Sequence, residues 1–237
     1  MDEQLILKTT LSNLFDGVDE ADVNNALVMS ARTLIEKEPD YTYVAAGLLL
    51  DKLRQEALTF IEGSVTQATQ KEMGNVYPAY FRKYIHRGAE LGLLDHELAK
   101  YDLERLGNAL HVDRDRQFTY LGLQTLYDRY FIHHKDIRFE LPQAFFMRVA
   151  MGLAINELDR EARAIEFYEL LSSFDFMSST PTLFNSGTCR PQLSSCYLTT
   201  VPDDLDGIFS AIKDDALLSK FAGGLGNDWT PVRALGA

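Results

Sequence analysis

The feature that most constrains the fold of this chain is a change of pattern near Ser172. Before it, apolar residues recur at helical spacing, and we find no strand-like alternation of apolar and polar residues. After it, serine, threonine, glycine and proline become frequent, and residues 196–201 form a run with high β-strand propensity. We therefore expect a helical part followed by a part that contains strands.

The helical part is divided by residues that start or stop helices. Pro39 separates the first two predicted helices because proline cannot continue a helix. Pro142 suits the first turn of a later helix, and Asp159 is expected to cap the next one. The predicted helices span residues 21–37, 41–60, 77–92, 118–131, 141–156 and 159–171.

Residues 176–237 predict the order strand, loop, strand, helix, strand, which is typical of an α/β unit with parallel strands. The helix is expected to start after Asp204 and to end at Gly223 and Gly224. Residues 229–235 should then be extended. A single unit of this kind cannot cover both faces of a parallel sheet. We therefore expect this part to begin a larger domain, which would make the chain truncated.

The composition and charge of the chain exclude several classes of protein. With 23 lysines and arginines against 35 aspartates and glutamates, the net charge is −12 at pH 7, which disfavours non-specific binding to nucleic acid. No run approaches the roughly 18 apolar residues of a membrane span, and the acidic N-terminus lacks the basic start of a signal peptide. Two cysteines rule out a disulfide scaffold, and five widely spaced histidines give no zinc pattern. These features predict a cytoplasmic protein with no nucleic-acid partner, no membrane partner and no metal of its own.

The two cysteines are the first candidates for chemistry. Cys196 follows Ser195 at the start of the predicted strand, where it is either a redox-active or nucleophilic thiol or a small buried residue. Cys189 precedes it by seven residues, and spacing alone leaves open whether the two form a disulfide. The hydroxyl of Thr182 can bind phosphate or sugar oxygens, or it can serve ordinary turn chemistry. The residues alone leave these alternatives open.

Charged residues and glycines around the predicted helix at 205–221 form a second group of candidates. Asp203 and Asp204 can cap this helix or accept hydrogen bonds from ribose hydroxyls. The glycine-rich residues 223–226 either let a ligand approach the backbone or only end the helix. Arg233 either binds phosphate or is a solvated surface charge.

Five short blocks follow one another in the second part of the chain. They are Thr-Pro-Thr-Leu-Phe-Asn-Ser-Gly at 180–187, Leu-Ser-Ser-Cys-Tyr-Leu at 193–198, Asp-Asp-Leu-Asp-Gly-Ile at 203–208, Ala-Gly-Gly-Leu-Gly at 222–226 and Val-Arg-Ala-Leu-Gly at 232–236. In this order they resemble the large (α) subunit of ribonucleotide reductase, and more narrowly the class I, aerobic ribonucleoside-diphosphate reductase. Upstream, residues 39–46 and 111–120 are similar to the helical N-terminal region of that family.

The resemblance implies a fold and a division into domains. The expected fold is a mainly α-helical N-terminal region that leads into the first strands and helix of a ten-stranded α/β barrel. Residues 1–60 resemble the end of an ATP-cone region, 61–175 the helical N-terminal domain and 176–237 the start of the catalytic barrel. Because residues 1–20 lack the strand hairpin that opens an ATP cone, an overall activity switch is not expected here.

The resemblance also implies a reaction and its substrate site. The family replaces the 2′-hydroxyl of a ribonucleoside diphosphate with hydrogen, using a thiyl radical and a pair of reducing cysteines that become a disulfide. Cys196 matches the first reducing cysteine. Thr182 matches a residue that touches the substrate phosphates, and Ser195 and Gly224 match positions around the bound substrate.

An allosteric site and several partners are implied in the same way. Asp203, Asp204 and Leu205 match the start of a site for ATP or a deoxynucleotide effector, and Arg233 matches a position that binds the effector phosphates. The implied partners are a second copy of the chain, a small β subunit whose metal centre supplies the radical, and thioredoxin or glutaredoxin as reductant. No covalently bound cofactor is expected in this chain.

The family's remaining catalytic residues match nothing within these 237 residues. The radical cysteine, the general-base glutamate, the second reducing cysteine and the C-terminal cysteine pair all lie further along the family's sequence. Cys189 corresponds to none of them and is interpreted as a structural thiol. The segment alone is therefore expected to be inactive. Two alternatives stay open: a non-catalytic nucleotide-binding or regulatory module, and part of an adenosylcobalamin-dependent reductase.

Overall fold

The computed structural model describes residues 2–220 and 224–236, without the side chains at positions 20 and 21. Within these ranges the chain is mainly helical, and it ends in a strand–helix–strand unit. The α-helices are α1 (Glu3–Asn13), α2 (Glu20–Thr33), α3 (Tyr41–Glu62), α4 (Met73–Glu90), α5 (Leu103–Asn108), α6 (Tyr120–Arg129), α7 (Pro142–Ala154), α8 (Arg160–Ser172), α9 (Thr180–Asn185) and α10 (Leu205–Lys220). Short 3₁₀-helices span His96–Lys100 and Val112–Gln117, and the strands are β1 (His133–His134), β2 (Ile137–Arg138), β3 (Cys196–Thr200) and β4 (Gly224–Asp228).

The predicted helices are confirmed as α2, α3, α4, α6, α7 and α8, with ends that differ by a few residues. Local signals set their starts. Pro142 is the first residue of α7, and the Asp159 side chain accepts a hydrogen bond from the backbone N–H of Ala162 at 3.1 Å, which caps α8. The helix α3 ends at Gly63, whose φ of 72° lies in the left-handed region that glycine adopts without strain.

Several elements of the helical part were not predicted, among them α5 and both 3₁₀-helices. The strands β1 and β2 form an antiparallel hairpin between α6 and α7, although no strand was expected there. Each strand has only two residues, which is too short to produce a recognisable alternation. The helix α1 was also missed, and its cap is Asp2, which accepts a hydrogen bond from the backbone N–H of Gln4 at 2.9 Å.

The segment at 180–185 is helical, so the first predicted strand of the second part is wrong. Serine, threonine and proline are dense there, and these residues are as typical of a helix start as of a loop. Ser179 occupies the N-cap position of α9, and Pro181 lies in its first turn, where its missing N–H costs no hydrogen bond.

The last strand also lies elsewhere than predicted. Gly224 begins β4 rather than ending the preceding helix, residues 229–235 form turns rather than a strand, and Gly223 lies outside the described residues. Glycine has low strand propensity, so the sequence of β4 carries no strand signal. A close approach explains the composition, because a Cβ atom at Gly226 would lie 2.9 Å from Cδ2 of Leu198 on the neighbouring strand.

The helix α7 is the centre of the helical core. It packs along α8, and 11 of its 13 residues are buried, so the helix passes through the interior rather than lying on the surface. Aromatic rings surround it, with Phe145 and Phe146 edge to face at 5.0 Å and Phe131 edge to face with Phe145 at 5.6 Å. Although α7 is almost entirely buried, none of the helices in the described ranges is long and apolar enough to cross a membrane.

One buried carboxylate, that of Asp115, joins four elements of this core. It accepts hydrogen bonds from Arg54 on α3 at 3.0 Å, from the Tyr77 hydroxyl on α4 at 2.9 Å and from the Gln143 amide on α7 at 2.8 Å. The Tyr168 hydroxyl on α8 extends the network by donating to the Gln143 side chain at 2.7 Å. Burial raises the pKa of Asp115, and the Arg54 guanidinium opposes that shift. We call this group of five side chains the Asp115 hub.

The strand–helix–strand unit has the parallel arrangement that the sequence predicts. The strands β3 and β4 pair in parallel, with Cys196 opposite Gly224 and Thr200 opposite Asp228, and α10 connects them. The two described sheets each have two strands, so these residues form no closed barrel. The division of the chain into segments at 1–60, 61–175 and 176–237 stays a prediction.

The helix α10 covers one face of this small sheet. Thr199 points to that face, because its hydroxyl donates to Asp215 of α10 at 3.2 Å. The opposite face carries Cys196, Leu198 and Thr200, all of which are exposed. Most of the apolar side chains of α10 are exposed as well, namely Leu205, Phe209, Ile212 and Leu217.

We expect Asp115→Asn to lower the free energy of unfolding by about 3–5 kcal/mol, because Arg54 then loses its buried counter-charge and keeps only the exposed carboxylate of Asp51 at 3.4 Å. Urea unfolding followed by circular dichroism measures the change. Asp113→Asn is the matched control, since Asp113 lies in the same 3₁₀-helix but is exposed, and it should leave stability nearly unchanged. Equal effects of the two substitutions would contradict the role given to the hub.

Candidate functional site

The structure brings Cys196, Ser195 and Gly224 together at the start of the paired strands. Cys196 and Gly224 are the first residues of β3 and β4 and lie opposite each other. The backbone N–H of Gly224 donates to the carbonyl of Ser195 at 3.0 Å. A Cβ atom at Gly224 would lie 3.7 Å from the Cys196 sulfur, so the thiol and the glycine share one face of the sheet. That face is exposed, and the thiol is free.

Thr182 lies on α9, beside the segment that leads into β3. Its hydroxyl donates to the carbonyl of Leu193 at 3.2 Å and lies 3.1 Å from the Ser179 hydroxyl. The predicted phosphate-binding residue therefore contacts the chain two residues before Ser195 rather than Cys196 itself. Leu193 and Ser195 belong to the loop that leads from α9 to β3. The hydroxyls of Thr182 and Ser195 therefore both lie near the start of β3.

Side chains from the helical core hold α9 at both ends. The Tyr130 ring stacks on Phe184 with centroids 4.4 Å apart, and its hydroxyl lies 3.2 Å from the Thr180 hydroxyl. At the other end, Arg148 of α7 donates from Nη1 to the carbonyls of Leu183 at 3.0 Å and Ser186 at 2.8 Å. The position of Thr182 is thus set by contacts with α7 and with Tyr130, the residue directly after α6.

The guanidinium of Arg148 is itself paired with a buried carboxylate. Its Nε and Nη2 atoms donate to the two oxygens of Glu140 at 2.9 and 3.2 Å, and both side chains are fully buried. Glu140 also accepts from the Tyr84 hydroxyl and from the backbone N–H of Ile132. Burial alone lowers the pKa of Arg148, but Glu140 and Tyr84 raise it above its ordinary value, so the side chain stays charged.

The segment between α9 and β3 is ordered by hydrogen bonds that the sequence did not reveal. The Asn185 amide donates to the carbonyl of Gln192 at 2.7 Å, and the Gln192 amide donates to the carbonyl of Ser194 at 2.9 Å and to the Tyr197 hydroxyl. These side chains fix the approach to Cys196. The only sign of these hydrogen bonds in the sequence was the high number of amide and hydroxyl side chains in a predicted loop. That number does not show which groups pair.

Cys189 is separate from the candidate site. It forms no disulfide with Cys196, which removes one alternative that the sequence left open. Its sulfur instead lies 3.1 Å from the carbonyl of Leu94, and its backbone N–H donates to Leu93. These contacts tie the loop to the helical part, in agreement with the interpretation of Cys189 as a structural thiol.

Asp203 and Arg233, predicted for the effector site, contact each other directly. The Arg233 Nε atom donates to one Asp203 oxygen at 2.6 Å, and the Arg233 backbone N–H donates to the other at 3.2 Å. Asp204 has a different role, because its side chain accepts from the backbone N–H of Gly207 at 2.8 Å and so caps α10. Leu205 follows as the first residue of α10 and is exposed.

A further polar cluster fixes α10 on the sheet. The Asn227 amide donates to the Thr199 hydroxyl at 2.8 Å and to the Asp215 carboxylate at 2.5 Å, and Thr199 also donates to Asp215. One side chain comes from each of β3, α10 and β4. No local sequence pattern indicates this cluster, because its members are separated by 12 residues or more.

Comparison with known proteins identifies the family. A family model described as the all-alpha domain of ribonucleotide reductase matches residues 116–191, and one described as its barrel domain matches residues 194–237. These two segments together cover about half of the chain. They meet just before Ser195 and Cys196, at the point where the helical part leads into the strand–helix–strand unit.

Relatives with curated names agree with the family models. The chain is 50% identical over 236 residues to the ribonucleoside-diphosphate reductase subunit alpha of Chlamydia muridarum, which is 100% of this chain and 22% of the relative. Identity to the subunit alpha of Helicobacter pylori is 38% over 225 residues, 94% of this chain and 27% of the relative. The large subunit of Danio rerio is 35% identical over 238 residues, 100% of this chain and 28% of the relative.

The matches cover a much larger share of this chain than of its relatives. The chain is matched almost from end to end, but it spans only about a quarter of the length of the curated relatives. The two domain matches follow each other in the order that the residue blocks and the fold require. The chain belongs to the ribonucleotide reductase large-subunit family, with the all-alpha domain followed by part of the barrel domain.

Proposed function

We propose that this chain is part of the large subunit of a ribonucleoside-diphosphate reductase, the enzyme that makes deoxyribonucleotides for DNA synthesis. The observation that carries the proposal is the free, exposed thiol of Cys196 beside the backbone of Gly224. A thiol that supplies electrons to a substrate must be accessible, and it must lie where a ligand can approach closely. Both conditions are met at the start of β3 and β4.

The reaction assigns Cys196 a definite role. Reduction replaces the 2′-hydroxyl of the ribose with hydrogen, releases the oxygen as water and oxidises two thiols to one disulfide. We assign Cys196 as one of these two thiols. The second thiol and the radical cysteine would come from residues outside this sequence, because Cys189 is engaged with Leu94. Thioredoxin or glutaredoxin would then reduce the disulfide by thiol–disulfide exchange.

The substrate is proposed to lie on the exposed face of β3 and β4. Gly224 places no side chain at the start of β4, which leaves room for a nucleotide against the backbone. The hydroxyls of Ser195 and Thr182 can donate to ribose or phosphate oxygens. We therefore propose that Thr182 binds the diphosphate and that Ser195 and Gly224 contact the rest of the substrate.

The effector site is proposed at the end of the same unit, around Asp203 and Arg233, with Asp204 and Leu205 at the adjacent start of α10. Guanidinium groups bind phosphate through two parallel hydrogen bonds, and carboxylates accept from ribose hydroxyls. The contact between Asp203 and Arg233 supports the proposal, because it brings an acceptor and a phosphate binder to one place. When ATP or a deoxynucleotide binds there, its phosphates would replace Asp203 as the hydrogen-bond acceptor of Arg233.

Partner chains are part of the proposal. The curated relatives are named as subunits, which supports a class I enzyme with a separate small subunit whose metal centre supplies the radical. A second copy of the chain is proposed to cover α10, because Phe209, Ile212 and Leu217 leave its outer surface apolar and exposed. The subunit names favour this type over an adenosylcobalamin-dependent enzyme.

Cys196→Ser, made in the full-length subunit, should reduce turnover to background in an assay with the radical-generating subunit and thioredoxin. The hydroxyl that replaces the thiol cannot form the disulfide. Effector binding should be unchanged, since Asp203 and Arg233 lie at the other end of the unit. Cys189→Ser is the matched control and should keep turnover. A Cys196→Ser enzyme that still turns over with thioredoxin would refute the assignment and favour the binding-module alternative.

Arg233→Lys should weaken binding of a deoxynucleoside triphosphate effector about ten- to a hundredfold, because a lysine cannot form the paired hydrogen bonds of a guanidinium. Equilibrium dialysis with labelled nucleotide measures the dissociation constant. Arg190→Lys is the control, since Arg190 is exposed on the loop before β3 and should not affect effector binding. Unchanged effector affinity in Arg233→Lys would place the effector phosphates elsewhere.

A further inference from the structure

We propose that the buried ion pair between Arg148 and Glu140 positions Thr182 for binding the diphosphate of the substrate. This inference rests on the proposed function, since it takes Thr182 as a phosphate-binding residue. Arg148 would act through α9 without touching the substrate itself. It is therefore a positioning residue for Thr182.

The direction of the Arg148 contacts supports this role. Two of its nitrogens are occupied by Glu140, and the third, Nη1, points at the end of α9. It donates to the carbonyls of Leu183 at 3.0 Å, Phe184 at 3.4 Å and Ser186 at 2.8 Å. The last carbonyls of a helix have no partner within the helix, and a cation there is favourable. Arg148 thus caps the helix that carries Thr182.

The turn after α9 also packs against α7 with almost no space between the two backbones, which restricts movement of the turn along the helix. A Cβ atom at Gly152 of α7 would lie only 2.1 Å from the backbone nitrogen of Gly187. Gly187 has a φ of 75°, and a Cβ there would lie 2.8 Å from the carbonyl of Arg148. The Ser186 hydroxyl adds a hydrogen bond to the carbonyl of Val149 at 2.7 Å. Glycines on both sides let the two backbones meet.

Because α9 has only six residues, the contacts at its end also fix the position of Thr182. Thr182 immediately precedes Leu183, and its carbonyl accepts from the backbone N–H of Ser186 at 3.0 Å. Arg148 therefore holds the residues that directly follow Thr182 in the same helical turn. A shift of the Arg148 head group would move the Thr182 hydroxyl relative to Ser195 and Cys196.

A second buried arginine shows what a purely structural pair looks like in this molecule. Arg54 is as deeply buried as Arg148 and is also paired with a buried carboxylate, that of Asp115. Its other side-chain hydrogen bonds go to Asp51 and Gln70, which lie within the helical part. Arg148 differs in that three of its acceptors are backbone carbonyls at the end of α9. This makes Arg54 the natural control.

The test uses Arg148→Lys in the full-length subunit with its radical-generating partner. Lysine keeps the charge but cannot bind Glu140 through two atoms and reach the α9 carbonyls at the same time. We expect the dissociation constant and the KM for the ribonucleoside diphosphate to rise about tenfold, with a smaller change in kcat. Arg54→Lys should lower Tm as much or more while leaving KM unchanged.

Coupling to Thr182 separates positioning from a general loss of stability. We expect Thr182→Ala to weaken diphosphate binding, and the double variant with Arg148→Lys to be no weaker than Thr182→Ala alone. If Thr182→Ala leaves binding unchanged, the proposed phosphate role of Thr182 fails. If Thr182→Ala weakens binding but a folded Arg148→Lys protein does not, the positioning role of Arg148 is wrong. Additive losses in the double variant would also overturn it.

A milder substitution covers the case in which Arg148→Lys does not fold. Ser186→Ala removes only the hydrogen bond to the carbonyl of Val149 and leaves the ion pair in place. It should raise the dissociation constant for the diphosphate several-fold, again with no further loss when Thr182→Ala is present. Unchanged affinity in Ser186→Ala would contradict the inference.

Discussion

The carboxylate of Asp115 is the interaction on which the helical part depends. A buried charge is costly unless it is paired and its oxygens accept hydrogen bonds. Asp115 meets both needs only when α3, α4 and α7 bring Arg54, Tyr77 and Gln143 to the same place. Misplacing any one of these helices leaves a charge or a polar group buried without a partner. The hub therefore specifies one arrangement among the many that would bury similar apolar area.

The helix α7 connects this hub to the candidate site. Gln143 in its first turn accepts and donates within the hub, and Arg148, further along the helix, reaches the end of α9. Arg148 lies on a rigid helix that is buried on nearly all sides, so close packing fixes the position of its backbone. The helical domain thus does more than support the barrel, because it sets the place of a residue proposed to bind substrate.

Local signals made much of the fold predictable, and the contacts of the site mostly were not. Pro142 and Asp159 mark helix starts through their own backbone chemistry, so their effect is visible in the sequence. The strand β4 has no such signal, because glycine has low strand propensity and Gly226 is required by the close approach of Leu198. The contact between Asp203 and Arg233 spans 30 residues, and only the completed strand–helix–strand unit brings the two side chains together. The resemblance could name both residues, but not their pairing.

The exposed face of β3 and β4 resolves two opposing demands. A parallel sheet is stable when both faces are covered, yet the redox role proposed for Cys196 requires a thiol that the substrate and a second thiol can reach. Covering this face with ordinary side chains would block Cys196. Glycine at position 224 keeps the strand pairing and places no side chain beside the thiol. The polar cluster of Thr199, Asp215 and Asn227 secures the opposite face against α10. Contacts with α10 therefore stabilise the unit from one face, and the opposite face stays exposed, as the role proposed for Cys196 requires.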